Sequence, residues 1–221
     1  MKYVVITGDI INSRKSQFNK EKLESKIEHF NDVLKSDIIS KFSVLKGDEV
    51  QGVIKYNKNI FFVIRRLTCC FKPYDIRFGV GIGEIDEIKS GFSSWELNGE
   101  AFYLARDAIN EIKNKKKKDI EYRVVFKTEN DELDQKINLF YSYVNEIIVK
   151  WKNDTLEILT NLEKGSNHEE IARLLQCYPE NKGKKLESIR SNVTYKIKRA
   201  GWYKVKMTEE ILSNMLIERK I

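Results

Sequence analysis

The sequence has 221 residues, 41% hydrophobic and 11% aromatic, which is enough to bury a core in one large domain or two modest ones. No apolar run is long enough to cross a bilayer, and the N-terminal apolar stretch lacks a signal-peptide cleavage site. The three cysteines and two histidines argue against a disulfide framework or a zinc site. We therefore expect a cytoplasmic protein without a membrane partner.

The net charge of +7 is unevenly distributed along the chain. Residues 160–221 contain 13 Lys or Arg and 8 Asp or Glu, a net charge of +5, which leaves +2 for residues 1–159. A basic excess in one small part of a chain suggests contact with nucleic acid. A solvated lysine-rich surface is the alternative, and charge alone does not decide between them.

The first half of the chain alternates predicted strands and helices. Residues 2–7 form a continuous apolar run typical of a buried strand, which Gly8 and Asp9 are expected to end. Apolar periodicity and turn residues then predict a helix capped at Asn19, strands over 41–46 and 49–55, a helix over 58–72, a strand over 76–83, a helix over 99–113 and a strand over 122–126. This order, β-α-β-β-α-β followed by α-β, predicts an α+β fold with a ferredoxin-like or palm sheet.

One face of the predicted strand 76–83 carries three glycines. They are Gly79, Gly81 and Gly83, and they alternate with apolar residues on the opposite face. Glycines at such positions remove side chains where something must approach the backbone closely. A packed helix and a ligand are both compatible with this pattern.

A long helix is predicted over residues 131–151, and it could pack on the sheet or pair two subunits. We place the domain boundary just after this helix. The predicted domains are a palm domain over 1–153 and a small C-terminal domain over 154–221.

Asp9 lies at the end of the first predicted strand and Asp48 at the tip of the next hairpin. In a palm fold this strand lies beside the hairpin, so the two carboxylates are expected to face each other. Two close carboxylates repel, and a divalent cation such as Mg²⁺ or Mn²⁺ relieves the repulsion and can hold a phosphate. Gly8 and Gly47 would let a triphosphate approach the backbone. The alternative is structural, since Asp is common in turns.

Four segments of the sequence form a recognisable set, namely GDIINSR at 8–14, KGDEVQG at 46–52, RFGVGIG at 77–83 and NGEAFYLAR at 98–106. In this combination and order they resemble the SatD family of bacterial proteins. The resemblance covers nearly the whole chain. The combination of segments is specific, although each motif alone is weak.

More distantly, the same segments are similar in order to class III nucleotidyl cyclases. This resemblance implies that Asp9 and Asp48 hold two metal ions and that Glu96 recognises a base. With the neighbouring residues, the predicted nucleotide site comprises Gly8, Ser13, Arg14, Gly47, Glu96, Gly99 and Arg106. Cyclase sites form between two chains, so the resemblance also suggests a homodimer.

The sequence departs from the cyclase pattern where groups that steady the ribose and the transition state are expected. The helix Asn and Arg of the cyclases are replaced by Tyr103 and Asp107, and the base-contacting Lys by Val44. Electrostatic stabilisation is often the largest contribution to catalysis. These departures therefore argue against efficient cyclisation.

The C-terminal part has the pattern of a winged helix-turn-helix-like module. Asn167 and Glu170 have capping-box spacing before a first helix over 169–175, and a second helix is predicted over 184–200. The segment after it, 199–206, predicts a glycine cap and a short strand resembling a wing.

The second helix of this module is expected to enter the major groove of DNA. The predicted DNA-binding residues are Lys184, Lys185, Arg190, Asn192, Tyr195, Lys196, Arg199 and Lys204. Lys and Arg would bind phosphate, with Asn192 and Arg190 as candidates to contact bases. The connection over 176–183 is longer than the tight turn of the common motif, and protein docking is an alternative role for such a module.

Three functions remain open from the sequence. The first is a regulator whose palm domain binds a nucleotide with a divalent metal and whose C-terminal module binds DNA. The second is a metal-dependent nucleotidyl cyclase or nucleotidyl-transfer enzyme that uses Asp9 and Asp48. The third is a non-catalytic interaction protein in which these aspartates are structural.

Overall fold

The computed structural model describes residues 1–11, 13, 19–45, 48–88, 93–114 and 122–217. The chain divides into two compact units, Met1–Asn145 with Glu209–Ile221, and Glu146–Thr208. The sequence-based boundary lies at 153/154 and places the C-terminal residues in the second domain. Among the described residues, no helix combines the length and the apolar character needed to cross a membrane.

The described elements alternate in the first half of the chain and are helical in the second. In chain order they are β1 (Lys2–Ile10), α1 (Lys20–Val33), β2 (Ile38–Leu45), β3 (Glu49–Lys55), α2 (Ile60–Cys70), β4 (Ile76–Glu84), α3 (Glu100–Asn114), β5 (Val124–Lys127), α4 (Asp131–Val149), α5 (Asn153–Glu163), α6 (His168–Gln176), α7 (Leu186–Arg199) and α8 (Trp202–Ile217). A short 3-10 turn, Pro179–Asn181, lies between α6 and α7. The fold is mixed α+β, as expected.

A five-stranded mixed sheet organises the first unit, in the order β2-β3-β1-β4-β5. β1 is antiparallel to β3 and to β4, β2 is antiparallel to β3, and β5 is parallel to β4. The central strand β1 is therefore hydrogen-bonded on both sides. Its Val4, Val5 and Ile6 are fully buried, which agrees with the apolar run in the sequence.

β1 does not end at Gly8 and Asp9, as the sequence predicted, but continues to Ile10. Gly8 pairs with Val50 on one side and with Phe78 on the other. A Cβ atom at Gly8 would lie 2.6 Å from the Val50 side chain and 2.7 Å from the Phe78 ring. Gly8 is thus a packing position inside the strand, where neighbouring side chains cover the backbone.

The glycines of β4 are explained by a helix. Cβ atoms at Gly79 and Gly81 would lie 2.2 Å and 2.1 Å from the carbonyl oxygens of Ala105 and Ala101 in α3. The backbone of α3 therefore lies almost directly on β4. Of the two interpretations left open by the sequence, the packed helix is the one observed.

The edge strand β2 is tied to α1 by a buried amide. Asn31 donates from Nδ2 to the Phe42 carbonyl oxygen at 2.9 Å, and the Phe42 N–H donates to Asn31 Oδ1 at 2.9 Å. Asn31 is only 5% exposed. Both outward-facing backbone groups of Phe42 are thus satisfied within the chain.

The end of α8 belongs to the first unit through a buried ion pair. Arg65 Nε of α2 donates to Glu209 Oε1 at 2.7 Å, and the two side chains are 2% and 5% exposed. Loss of one partner from such a pair leaves a buried charge and typically costs about 3–5 kcal/mol. Glu209 thereby attaches the C-terminal helix to α2.

The second unit is helical and contains α5, α6 and α7. The capping box at Asn167 and Glu170 is present at the start of α6, as predicted. Trp202 is 5% exposed and packs at a tilt against Trp151, with ring centroids 6.0 Å apart, so it is a core residue as expected.

The predicted wing is not formed. Gly201 has a φ of +63° and ends α7, as the sequence suggested, but α8 begins at the next residue. Trp202, Val205 and Leu212 are buried on one side of this helix. Their spacing of three and seven residues is helical, and burial of this face prevails over a strand.

Replacement of Gly81 by Ala tests the close contact between α3 and β4. The new methyl group would overlap the α3 backbone, so we expect Gly81→Ala to lower the free energy of unfolding by about 3 kcal/mol. Urea denaturation followed by circular dichroism measures this loss.

Gly183→Ala is the control, since Gly183 has a φ of +80° but no atom within 4 Å of its Cβ position. It carries backbone strain alone, worth about 1–2 kcal/mol. Equal losses in the two variants would contradict the proposed overlap at Gly81.

Candidate functional site

Asp9 lies inside β1, where two cations meet its carboxylate. In the sheet register it is opposite Arg77 of β4 and Glu49 of β3. Arg77 Nε donates to Asp9 Oδ2 at 2.8 Å, and Lys113 Nζ of α3 lies 3.5 Å from Asp9 Oδ1. The Asp9 side chain is 13% exposed. Asp9 is therefore held in a partly buried ion-pair cluster.

Asp48 lies close by, at the start of β3. Its Oδ2 accepts a hydrogen bond from Ser13 Oγ at 2.5 Å, and its backbone carbonyl accepts one from the Ile10 N–H at 3.3 Å. Ser13 and Asp48, two predicted site residues, are thus brought together. Arg14 and Gly47 were also predicted here, and they lie outside the described residues.

The residues around Asp9 do not fit a two-metal centre. The charge of Asp9 is already compensated by Arg77 and Lys113, so a cation would have to displace both. In the part of the chain that the structure describes, no three His, Cys, Asp or Glu side chains are grouped to hold a metal ion.

The other predicted nucleotide ligands lie apart from Asp9 and Asp48. Exposed Glu96 accepts a hydrogen bond from the Ser93 N–H at 2.8 Å, which lowers the pKa of this carboxyl. Gly99 is buried with a φ of +139°, and a Cβ there would lie 2.7 Å from Ile85 Cα. Gly99 therefore allows the backbone to turn into α3 in a conformation that other residues rarely adopt.

Arg106 lies on the exposed side of α3. Neither Arg106 nor Glu96 contacts Asp9 or Asp48 among the described residues. Only part of the predicted nucleotide site is therefore assembled.

Sequence reasoning missed Arg77 and Lys113 as partners of Asp9. A signal for Arg77 was present, because it precedes three alternating glycines on the same face of β4. In the antiparallel pairing of β4 with β1, Arg77 is the residue opposite Asp9. Lys113 could be predicted as a partner of Asp9 only if the position of α3 on the sheet were known.

A second candidate site lies on α7, in the second unit. Ile189, Val193 and Ile197 form its buried stripe, and α6 packs against it. The exposed residues of α7 and of the segment before it include five of the predicted DNA-binding residues, Lys185, Arg190, Asn192, Tyr195 and Arg199. The predicted set thus falls largely outside the core face, as expected.

Three predicted DNA-binding lysines have other surroundings. Lys196 is half-buried and donates to Asp154 Oδ2 at 2.6 Å, which lowers the pKa of Asp154. Lys184 donates to Asn181 Oδ1 at 3.0 Å. Lys204 is exposed on α8 and not on a wing.

The sequence around α7 contains many basic residues and almost no acidic ones. Residues 182–206 contain nine Lys or Arg and a single acidic residue, Glu187. Glu187 lies in the first turn of α7, where the helix dipole favours a carboxylate. Most of the excess positive charge of the C-terminal part of the sequence therefore lies on α7 and the segments that flank it.

The long connection between α6 and α7 is ordered by local hydrogen bonds. The Tyr178 hydroxyl donates to Glu157 of α5, and Asn181 Nδ2 donates to the Leu175 carbonyl oxygen at 2.9 Å. The extra residues form the 3-10 turn Pro179–Asn181. The connection is therefore a defined turn despite its length.

A double-mutant cycle on Asp9 and Arg77 tests the ion-pair assignment. We expect Asp9→Asn and Arg77→Gln to show a coupling energy of about 1 kcal/mol in urea unfolding, because the pair is partly buried. The more exposed pair Arg123–Asp75 is the matched control, with a smaller expected coupling. Zero coupling at Asp9 and Arg77 would contradict the assignment.

A comparison with known families matches almost the entire described fold. The SatD family model matches residues 3–208, which include all five strands, helices α1 to α7 and the start of α8. No curated protein compared with the chain matched it. The match covers well over half of the sequence and agrees with the family resemblance of its four motifs, so this chain belongs to the SatD family.

Proposed function

We propose that this SatD family protein binds duplex DNA through its second unit, with α7 in the major groove. The observation that supports this most directly is the exposed basic face of α7, opposite its buried stripe of Ile189, Val193 and Ile197. A helix supported on one side by α6 and basic on the other has the form of a recognition helix.

The exposed residues of α7 suggest a division of roles. Asn192, Tyr195 and Arg199 recur at spacings of three and four, so they lie on one side of the helix. An Asn side chain can pair with the N6 and N7 edge of adenine, which makes Asn192 the candidate for base contact. Arg199 at the end of α7 and Lys185 before its start suit the phosphate backbone.

Arg190 belongs to the other flank of α7. The hydrogen bond from Arg173 is the main cause of the lowered pKa of Glu169 in α6, and the positive charge of Arg190 adds a smaller contribution. We propose that Arg190 contacts phosphate on this flank. Lys196 is assigned a structural role, because its ammonium group already binds Asp154.

For the first unit we propose a ferredoxin-like palm arrangement. The strand order β2-β3-β1-β4, antiparallel between every pair of neighbours, supports it, and β5 is an addition at the β4 edge. Binding of a nucleotide by this unit is a second candidate function. It is favoured by the donors Ser13, Arg77 and Lys113 near the end of β1.

No reaction is assigned to this cluster. A phosphate could share Arg77 and Lys113 with Asp9, whereas a metal ion would have to displace both of these side chains from Asp9. We therefore expect any nucleotide to bind without a divalent metal.

Alanine substitutions test the DNA-binding proposal. We expect Lys185→Ala and Arg199→Ala each to weaken binding of all duplexes and to reduce the slope of log K against log salt by about 1. Asn192→Ala should cost about 1–3 kcal/mol on the preferred sequence and relax specificity. Fluorescence anisotropy with a selected duplex and a scrambled one measures both effects.

Lys164→Ala is the matched control, since Lys164 is exposed in the same unit but lies after α5. It removes the same charge and should leave binding unchanged. The proposal fails if wild type shows no salt-dependent DNA binding, or if Lys164→Ala weakens binding as much as Arg199→Ala.

Thermal unfolding against a panel of nucleotides tests the first unit. A nucleotide at about a hundred times its Kd should add about 2.7 kcal/mol to the free energy of unfolding. We expect the rise in Tm to persist in EDTA and to be lost in Arg77→Gln. A rise that requires Mg²⁺ or Mn²⁺, or no rise with any nucleotide, would contradict this second function.

A further inference from the structure

The cations at the end of β1 are more accessible to solvent than the acid that they bind. The side chains of Arg77 and Lys113 are 24% and 35% exposed, whereas the Asp9 side chain is 13% exposed. Arg77 donates to Asp9 from Nε, and a guanidinium carries further N–H donors on its terminal nitrogens. An anion from solvent can therefore reach Arg77 and Lys113 while they remain bound to Asp9.

Asp9 binds these cations in the way that a phosphate would. Its two oxygens have different partners, Arg77 Nε at 2.8 Å from Oδ2 and Lys113 Nζ at 3.5 Å from Oδ1. Carboxylates and phosphates are both oxyanions, and Arg binds either one through charge-assisted hydrogen bonds. The Asp9 carboxylate is thus equivalent to an oxyanion ligand that the chain itself supplies.

Two other carboxylates lie near Asp9, and their contacts differ from those of Asp9. Glu49 is opposite Asp9 in the register of β1 and β3, so the two side chains lie on the same face of the sheet. Asp48 is the residue before Glu49. Within the described part of the chain, the ion pairs of Arg77 and Lys113 are made with Asp9 and with neither of the other two acids. The charge of Asp9 therefore determines how strongly these cations attract a ligand.

We propose that Asp9 is an internal competitor that restricts this site to phosphate groups carrying more than one negative charge, such as the terminal phosphate of a nucleotide. This role of Asp9 depends on the nucleotide binding proposed above for the first unit. A bound phosphate attracts Arg77 and Lys113 and repels the Asp9 carboxylate. Each of the two anions therefore weakens the binding of the other to the shared cations.

The charge of the ligand decides the outcome of this competition. A phosphomonoester carries a charge of about −1.5 to −2 at pH 7, which exceeds the single charge of a carboxylate. A phosphodiester carries a single negative charge and has no such advantage over Asp9. The first unit is therefore expected to bind free nucleotides in preference to cyclic nucleotides or the backbone of a nucleic acid.

Isothermal titration calorimetry with inorganic pyrophosphate in EDTA tests the competition on the full-length chain. We expect Asp9→Asn to lower the Kd about tenfold, because the amide oxygen can still accept from Arg77 Nε but carries no charge. Adding Arg77→Gln to Asp9→Asn should abolish this gain in affinity. Dimethyl phosphate, a phosphodiester, should bind to the wild type at least about tenfold more weakly than pyrophosphate.

Glu49→Gln is the matched control, since it removes the same charge from the residue opposite Asp9 on the same face. It releases neither Arg77 nor Lys113, so the Kd for pyrophosphate should fall by less than about threefold in solvent that screens the charge. Equal gains in Glu49→Gln and Asp9→Asn overturn the proposal, because they indicate a general effect of charge. So does an unchanged Kd in Asp9→Asn, or a wild type that binds both probes equally well.

Failure of nucleotide binding itself gives a different result. If nucleotides raise the Tm of the wild type but Asp9→Asn gains no affinity, the proposed nucleotide site is retained and the role of Asp9 is excluded. If nucleotides give no rise in Tm and pyrophosphate binds neither the wild type nor Asp9→Asn, both proposals are wrong. Circular dichroism establishes that each variant is folded.

Discussion

The close approach of α3 to β4 is the contact on which the geometry of the first unit depends. A helix can lie this near a strand only where the strand has no Cβ atoms, and Gly79 and Gly81 provide that surface. The contact fixes the height of α3 above the sheet and its position along it. Because α3 runs along β4, its last turn brings Lys113 to Asp9, and its first turn begins at Gly99, against the backbone that follows β4. A packing constraint of the sheet thus determines which charges meet at the end of β1.

The residue opposite Asp9 in β4 determines which cation the Asp9 carboxylate binds. An aspartate at this point of the sheet can bind a cation of either kind, a metal ion or a basic side chain. Here Arg77 stands directly across the ladder from Asp9, and its guanidinium is fixed by the same hydrogen-bond register that forms the sheet. The two candidate sites consequently differ in charge, since Asp9 is paired with Arg77 and Lys113 whereas residues 182–206 contain nine Lys or Arg and a single acidic residue.

Most of the strands, the helices that flank them and the capping box of α6 could be predicted, because each depends on residues close in sequence. The failures depended on contacts between distant segments. β1 continued past Gly8 because Val50 and Phe78 pack over it, and the wing was replaced by α8 because Trp202 and its neighbours are buried. Helix α5 was not predicted, since its two Asn and two Thr residues have low helix propensity, and it forms through burial of Ile158 and Leu159. At the site, the structure hydrogen-bonds two residues that the sequence had singled out separately, Ser13 and Asp48, whereas Arg77 and Lys113 required the strand register and the placement of α3.

The amide of Asn31 has a consequence for how copies of this chain can meet. An open sheet edge is a template onto which another strand can add, and uncontrolled addition leads to aggregation. The side chain of Asn31 makes the two hydrogen bonds to the backbone of Phe42 in β2 that an added sixth strand would otherwise make. Growth of the sheet from chain to chain is therefore interrupted at this point of the β2 edge. Asn31 thus opposes polymerisation of the chain by strand addition at the β2 edge.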